Sequence, residues 1–374
     1  MTLPLAGLRV LDLTNVMAGP FCCYQLALLG AEVIKVELPK TGDLARQLGA
    51  DPGLSQNLMG ASFLTQNAGK KSITLNLKDP RGRDLLKRLA GSADALVESF
   101  RPGVMIRLGV DAAVLRIEHP RLVYCALSGF GQTGPLSARP AYDQVIQGLS
   151  GLMSVTGDET SAPLRVGFPV SDAVAGLNAA LAVCAALAHA ARTGEGGTID
   201  VSMLESSIAI AAWVVGNYMI AGEEPQPMGN ENRTAAPSGV FRTQDGLLNI
   251  AANKQEQWQA LTRVLGREEL TLDPRFAARE ARKSHRYELR AILEEVLAQR
   301  PAVEWEQLLT DAGVPAGQVL SVKDAIGQRQ LAERGMFRTF EHVLGVGRPV
   351  TVSNGGFLFE GRGPGAAEPA AAAG

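Results

Sequence analysis

Short runs of apolar residues, typical of buried strands, alternate with helical patterns along the first third of the chain. Five strands are predicted, at 8–13, 32–37, 71–77, 95–98 and 121–127, and helical segments at about 20–29 and 80–89 separate some of them. Strands joined through helices lie parallel and next to each other in one sheet. The pattern therefore predicts an α/β fold, with a doubly wound, mostly parallel sheet and helices on both faces.

The longest apolar run, 173–191, is rich in alanine and follows a segment that is suited to begin a helix. Pro169 interrupts what precedes it, Ser171 is a good N-cap residue, and Asp172 would then be the first helical position. A helix that is apolar on every face is predicted to be buried in the core. Asp172 would be a carboxylate at the positive end of this helix, where the helix dipole favours its ionised form. The alternative is that Asp172 only helps to start the helix.

The composition changes after residue 220. Residues 221–239 are rich in Gly, Pro, Asn and Glu, as in a linker. A predicted hairpin around 244–246 and amphipathic helices at about 255–265, 286–299 and 302–312 follow. We therefore predict a large α/β domain over 1–220 and a smaller α+β domain over 221–325. Residues 361–374 are almost wholly Gly, Ala and Pro and are predicted to be a disordered tail.

The overall charge argues against binding to nucleic acid or to an anionic membrane surface. The 374 residues carry a net charge of −2, with 46% hydrophobic and 20% charged residues. No basic segment followed by an apolar one begins the chain, and the alanine content of 173–191 favours a core helix over a membrane span. The four cysteines lie in apolar surroundings without a CxxC pair, as do the reduced thiols of a cytoplasmic protein.

The sequence lacks the motifs of several common types of binding and catalytic site. The four histidines are scattered and form no metal-binding pattern, so no metal site is predicted. The glycines of 129–134 match GxGxxG, but prolines follow where a dinucleotide fingerprint needs a helix, so a mobile loop beside a site is favoured. No GxSxG nucleophile elbow is present. A carboxylate is ionised at pH 7 without a partner base, which favours Asp172 as a nucleophile.

Basic residues cluster between 70 and 107, and they include Lys78, Arg101 and Arg107. Such a run is commonly a solvated face. On a nearly neutral chain it is also suited to hold a polyphosphate ligand, with Lys78 and Arg107 as phosphate contacts.

Several short blocks of sequence are distinctive when taken together. The blocks are GLRVLDLT at 7–14, AGP at 18–20, GAEVIKVE at 30–37, LNLK at 75–78, VESFRPG at 97–103, RLG at 107–109, SGFG at 128–131, AYD at 141–143, VGFPVSDAVAG at 166–176 and TGEGG at 193–197. Their combination resembles one family, the class III CoA-transferases, which include formyl-CoA transferase and the α-methylacyl-CoA racemases. The resemblance covers roughly residues 5 to 340. It implies that 326–360 returns to the large domain and that two chains form an interlocked homodimer.

The resemblance also implies a CoA site and a catalytic residue. Its CoA contacts fall on Asn15, Met17, Ala18, Leu75, Lys78 and Arg107. Formyl-CoA transferase has Gln where this chain has Met17, so stabilisation of the reacting carbonyl would pass to backbone N–H groups or be lost. CoA would be a substrate and not a permanently bound cofactor. Asp172 would attack an acyl-CoA and carry first an anhydride and then a CoA thioester.

The residue before Asp143 separates transferases from racemases in this resemblance. The racemases carry His-Asp, whose His forms a two-base pair with the equivalent of Asp172, whereas this chain has Tyr142. A transferase is therefore favoured, with Tyr142 and Asp172 as its catalytic residues. A racemase or a catalytically silent CoA-binding protein stays the alternative. Family frequency favours a dicarboxylate such as succinate as one substrate, with Asn230, Arg233 and Arg165 as candidate contacts for a second carboxylate.

Overall fold

The computed structural model describes residues 2–359, which form two compact units. The larger unit contains the described residues of 2–153, 165–224 and 329–359, and the smaller unit contains 154–164 and 225–328. The predicted tail at 361–374 lies outside the described residues.

A six-stranded parallel sheet is the centre of the larger unit. Its strands are β1 (Arg9–Leu13), β2 (Glu32–Glu37), β3 (Lys71–Thr74), β4 (Ala95–Glu98), β5 (Val123–Ser128) and β6 (Thr198–Ser202). The strand order is β3-β2-β1-β4-β5-β6, and every neighbouring pair is parallel. The predicted doubly wound α/β class is therefore confirmed. The order reverses between β1 and β4, which is where such sheets open a crevice at their carboxyl ends.

Helices cover the sheet of the larger unit. They are α1 (Ala18–Leu28), α2 (Pro52–Gln56), α3 (Ala61–Asn67), α4 (Pro80–Ala90), α5 (Val104–Leu108), α6 (Ala112–Glu118), α7 (Asp143–Leu149), α8 (Val170–Thr193), α9 (Met203–Ile210) and α10 (Ala212–Ala221). Helices α1 and α8 share a core with β4 and β5. Gly176 permits their close approach, because a Cβ there would lie 2.6 Å from the carbonyl oxygen of Ala18. The contact brings the first turn of α1 against the second turn of α8.

Helix α8 departs from its prediction in two respects. It begins at Val170 with Pro169 as the N-cap residue, so Ser171 does not cap it and Asp172 is the third helical residue. It is also buried on one side only, since Leu177 and Leu181 are 50% and 71% exposed in the single chain. Among the described helices, α8 is long and apolar enough to cross a membrane, a property that the core helix of a soluble protein shares.

The smaller unit contains a three-stranded antiparallel sheet and helices. Strands β7 (Ser238–Arg242), β8 (Leu247–Ala251) and β9 (Ala316–Gln318) pair in that order, and β7–β8 is the predicted hairpin. Its helices are α11 (Gln255–Val264), α12 (Arg279–Ser284), α13 (Arg286–Leu297), α14 (Ala302–Asp311) and α15 (Val322–Ile326). Trp258 of α11 and Phe276 lie in a separate core, together with apolar side chains of α13 and α14.

Residues 329–359 pack on the larger unit. They contain α16 (Arg329–Glu333) and an antiparallel pair, β10 (Phe337–Phe340) and β11 (Val350–Ser353). Phe340 and Val352 bury their side chains against Tyr24 and Phe63 of α1 and α3. The Tyr24 hydroxyl also donates a hydrogen bond to the carbonyl oxygen of Ser353, at 2.5 Å.

Candidate active site

A cavity of about 350 Å³ opens in the larger unit, at the carboxyl ends of β1, β4 and β5. Its walls are the loop after β1 (residues 13–19), the loop after β4 (99–102), the end of β5 (127–129), the segment 137–142, and Asp172 and Met203. The cavity thus lies where the strand order reverses, as expected for a ligand site of a doubly wound sheet.

Asp172 reaches this cavity from the first turn of α8. Burial and, second, the negative charge of Asp143 raise its pKa to about 7 from an ordinary value of 3.8. The sequence predicts that the helix dipole favours the charged form of Asp172. Burial and the neighbouring carboxylate have the larger effect on its pKa, and they favour the neutral form. A carboxyl group that titrates near neutral pH inside a cavity is a feature of functional sites.

Asp143, the first residue of α7, holds the start of α8. Its buried Oδ1 accepts hydrogen bonds from the backbone N–H of Ser171 at 2.8 Å and of Asp172 at 3.4 Å. Gln147 donates from Nε2 to Oδ2 of Asp143 at 2.6 Å. Asp143 therefore takes the role at the helix N-terminus that the sequence assigned to Ser171, because an acceptor from a neighbouring helix satisfies the free N–H groups.

Two further contacts fix the segment before Asp172. Gln147 accepts a hydrogen bond at Oε1 from the backbone N–H of Val166, at 2.8 Å. The Ser171 hydroxyl accepts a bond from the hydroxyl of Ser207 on α9, at 2.9 Å, where both side chains are buried. Helices α7 and α9 thus both constrain the position of Asp172.

The loop between β1 and α1 forms another part of the cavity wall. Asn15 donates from its backbone to Oγ of Ser99, at 3.1 Å, and accepts at Oδ1 from the N–H of Leu44, at 2.9 Å. Helix α1 begins at Ala18 without a side-chain cap, and Ala18 and Gly19 line the cavity. The N–H groups at an uncapped helix N-terminus suit an anionic oxygen.

The cavity brings together five of the eight predicted site residues. Asn15, Met17, Ala18, Tyr142 and Asp172 all line it. The Tyr142 side chain is 66% exposed.

The other three predicted contacts lie elsewhere in the larger unit. Leu75 packs against the core between the sheet and α4, and the Lys78 and Arg107 side chains are exposed. Their part in CoA binding stays a prediction.

Sequence reasoning missed two features of the cavity. Arg101 and Arg139 contribute cationic side chains to its wall, whereas the sequence placed Arg101 only in a general basic run and did not single out Arg139. It also gave Asp143 no role. The adjacent Tyr-Asp pair was the available signal, but it could not show that the Asp side chain turns away toward α8.

The candidate contacts for a second carboxylate do not line this cavity. Asn230 lines a separate open cavity of about 480 Å³ in the smaller unit. Arg233 lies in the same unit but does not line that cavity. Arg165 is exposed in the larger unit and donates to the carbonyl oxygen of Val166 at 3.3 Å. Within residues 2–359, no cluster of three or more His, Cys, Asp or Glu side chains is arranged to hold a metal ion.

Comparison with known proteins shows the family of this chain. The CoA-transferase family III profile matches residues 5–368. The chain is 36% identical over 370 residues to the succinate–glutarate CoA-transferase of Agrobacterium fabrum, covering 96% of this chain and 91% of the relative. It is 40% identical over 351 residues to the acetyl-CoA:oxalate CoA-transferase of Acetobacter aceti, covering 94% and 89%.

A solved structure shares the fold. The CaiB/BaiF family protein from Brucella suis superposes with a TM-score of 0.85 and 32% identity, over 100% of this chain and 97% of that one. The chain therefore belongs to CoA-transferase family III, and the resemblance seen in the sequence is confirmed. Membership implies acyl-CoA thioesters and carboxylic acids as the substrate classes.

Proposed function

We propose that the protein moves CoA from an acyl-CoA donor to a free carboxylic acid through covalent intermediates on Asp172. The observation that carries the proposal is a single carboxyl group, Asp172, that titrates near pH 7 in a cavity with cationic side chains and an uncapped helix N-terminus. These are the parts that acyl transfer to and from a carboxylate needs.

The reaction begins when the ionised Asp172 attacks the thioester carbonyl. The C–S bond breaks, and an aspartyl–acyl anhydride and CoA thiolate form. The thiolate then attacks the aspartyl carbonyl, so that an aspartyl-CoA thioester forms and the donor acid leaves as a carboxylate. The acceptor carboxylate attacks the aspartyl-CoA thioester, which releases CoA thiolate and forms a second anhydride between Asp172 and the acceptor. The thiolate then attacks the acceptor's carbonyl in this anhydride. The products are the acceptor's CoA thioester and a free Asp172 carboxylate.

Each tetrahedral intermediate carries an oxyanion that the site must stabilise. The N–H groups at the start of α1, at Ala18 and Gly19, are suited to this role because they line the cavity and lack a side-chain cap. They would take the place of the family Gln that is Met17 here. Water has to be kept from the site during turnover, since an anhydride hydrolyses readily.

The CoA nucleotide would lie along the edge of the sheet that carries Lys78 and Arg107. Both side chains are exposed cations, while Arg101 and Arg139 lie nearer to Asp172 in the cavity wall. Leu75, Asn15 and Met17 would contact the apolar parts of the ligand. Binding of this distant nucleotide supplies energy that is realised at the reacting carbonyl.

Tyr142 favours CoA transfer over racemisation. A racemase needs bases on both faces of an acidic α-carbon, and a neutral phenol is a poor base. Incubation in D₂O separates the two activities. A transferase gives a new CoA ester without deuterium at the α-carbon, whereas a racemase incorporates deuterium without moving CoA.

We propose succinyl-CoA as donor and a second dicarboxylate as acceptor. The support is that relatives at 36% and 38% identity are named for CoA transfer between succinate and glutarate. The test is a panel of acyl-CoA donors against mono- and dicarboxylic acids, read by chromatography of the CoA esters. Transfer from succinyl-CoA to a dicarboxylate supports the proposal, and CoA binding without transfer across the whole panel contradicts it.

We further propose that the chain acts as a homodimer, interlocked as the family resemblance implies. The support in the larger unit is a set of apolar side chains that the single chain leaves in contact with solvent. They are Leu177, Leu181, Trp213, Met219 and Ile220, whose exposed fractions are 50%, 71%, 79%, 77% and 90%. Exposed apolar side chains of this size on α8 and α10 are typical of a subunit interface.

A further inference from the structure

Val16 has a strained backbone in the wall of the cavity. Its φ is +68°, in the left-handed region, and it is the one β-branched residue among the non-glycine residues with positive φ in the described chain. This conformation is strained for such a residue, and it persists only where the surroundings enforce it. Val16 lies directly before Met17, the N-cap residue of α1. The strain is therefore at the point where the chain turns from β1 into the proposed oxyanion site.

Asp43 provides the contact that holds this backbone. Its Oδ1 accepts a hydrogen bond from the N–H of Val16 at 3.0 Å and another from the N–H of Ala45 at 2.8 Å. Asp43 is only 3% exposed. The side chain thus ties the strained residue to the turn at 43–45.

Lys35 contacts both Asp43 and the loop after β1. Its Nζ forms an ion pair with Oδ2 of Asp43 at 2.9 Å and donates to the carbonyl oxygen of Thr14 at 3.0 Å. Both side chains of the pair are buried. The pair therefore forms hydrogen bonds with the backbone on both sides of Asn15, at Thr14 and at Val16.

A contribution to stability alone does not explain this arrangement. Well-packed apolar residues commonly stabilise a fold as much as a buried ion pair does. Here each charged group also bonds to the backbone of one loop, and that loop lines the cavity. The pair is thus placed to fix a backbone conformation that Val16 would not adopt by itself.

We propose that Asp43, held by Lys35, is a positioning residue that keeps Val16 in the left-handed region and so aims the first N–H groups of α1 at the reacting carbonyl. The inference rests on the proposed CoA transfer. It explains how the chain stabilises an oxyanion although Met17 offers no side-chain donor.

The test is a double-mutant cycle between Asp43→Ala and Val16→Gly, because glycine adopts the left-handed conformation without strain. Loss of an aligned donor lowers kcat by about 10²-fold. We expect Asp43→Ala to lower kcat by that order in the Val16 background, with KM for acyl-CoA changed less than about threefold. In the Val16→Gly background the same substitution should lower kcat by less than about tenfold. Equal losses in the two backgrounds would overturn the inference.

A matched control separates positioning from general loss of a buried charge. Glu231→Gln removes another buried carboxylate, which pairs with Arg290 in the smaller unit and has no hydrogen bond to residues 14–18 or 43–45 in the described structure. Its effect on kcat should be the same with Val16 and with Gly at position 16. If Asp43→Ala does not fold, Asp43→Asn replaces it in the cycle, with coupling of the same sign expected.

Hydrogen–deuterium exchange of the peptide covering residues 14–24 gives a readout that needs no turnover. Exchange should be faster in Asp43→Ala and return toward the wild-type rate when Val16→Gly is added. Unchanged exchange in Asp43→Ala would overturn the inference even if the wild type shows no transfer. If the wild type transfers no CoA at all, the proposed function fails, and exchange still decides the positioning role.

Discussion

Asp143 and Asp172 are joined through the backbone of α8, since Oδ1 of Asp143 accepts the N–H of Asp172 at 3.4 Å and that of Ser171 at 2.8 Å. One carboxylate thus fixes the helix that carries the other. The same proximity raises the pKa of Asp172, after the larger effect of burial. Asp143 therefore affects both the position and the pKa of Asp172, the proposed nucleophile.

The activity should depend on the ionisation of Asp172. Its pKa is about 7, and only the carboxylate attacks a thioester, so kcat/KM should be half-maximal near pH 7 and level off above about pH 8. Initial rates between pH 5 and 9 test this. Glu98→Gln is the matched control, because burial also raises the pKa of Glu98 to about 7 and this residue does not line the Asp172 cavity. A profile that is flat from pH 5 to 9 would contradict the assignment.

Replacing Asp143 by Asn should shift the pH profile toward acid. The substitution removes the negative charge that raises the pKa of Asp172 and keeps an oxygen that can accept from Ser171. Burial is the larger cause and remains, so the shift should be roughly half a pH unit to one unit. The midpoint of kcat/KM against pH measures it. An unchanged or alkaline-shifted midpoint would show that Asp143 does not control the charge of Asp172.

Asp172→Asn should stabilise the protein, and more at pH 8 than at pH 5. The folded pKa of about 7 lies above the ordinary 3.8, so the unfolded chain ionises first and the wild type loses stability as pH rises through this window. The full difference corresponds to about 4 kcal/mol, and partial exposure of the side chain reduces it to about 2 kcal/mol. Denaturant unfolding at both pH values measures the gain. A variant less stable than wild type at pH 8 would contradict it.

Lys78→Ala and Arg107→Ala should weaken acyl-CoA binding without affecting the acid substrate. Each removes an exposed cation from the proposed phosphate contacts, and we expect a rise in KM for acyl-CoA of about three- to tenfold that shrinks at high salt. Arg88→Ala removes an exposed cation from α4 and serves as the control. Equal KM values for all three variants would place the nucleotide elsewhere.

The apolar surface on α10 should mediate self-association. Trp213→Ser and Ile220→Ser should shift the protein toward monomer in sedimentation velocity, because the two side chains are 79% and 90% exposed in the single chain. Leu272→Ser is the control, since Leu272 is 84% exposed in the smaller unit. A monomeric wild type, or dimers that tolerate both substitutions, would contradict the homodimer.

Local patterns were enough to predict the parallel sheet, whereas the catalytic role given to Asp172 depends on the family resemblance and stays a prediction. Alternating strands and helices indicate a doubly wound sheet, and the apolar run after Asp172 marks α8. Family blocks then placed Asn15, Met17, Ala18 and Tyr142 near one another, and all four line the cavity with Asp172.

Contacts between distant segments could not be predicted. No sequence pattern shows that Asp143 bonds to α8 or that Asp43 bonds to Val16, because these pairs lie 28 and 27 positions apart. The pKa of Asp172 was misjudged for the same reason, since burial depends on what packs around it. The exposed face of α8 could not be foreseen either, because the hydrophobicity of a helix does not show which of its sides packs in the core of its own chain.

Trapping the intermediate on Asp172 tests the central claim most directly. The enzyme would be incubated with succinyl-CoA, quenched with hydroxylamine, digested and analysed by mass spectrometry, with Asp172→Asn and Asp79→Asn as matched variants. We predict a hydroxamate on the peptide with Asp172 in the wild type and in Asp79→Asn, and none in Asp172→Asn. CoA transfer without this adduct, or transfer retained in Asp172→Asn, would contradict the account.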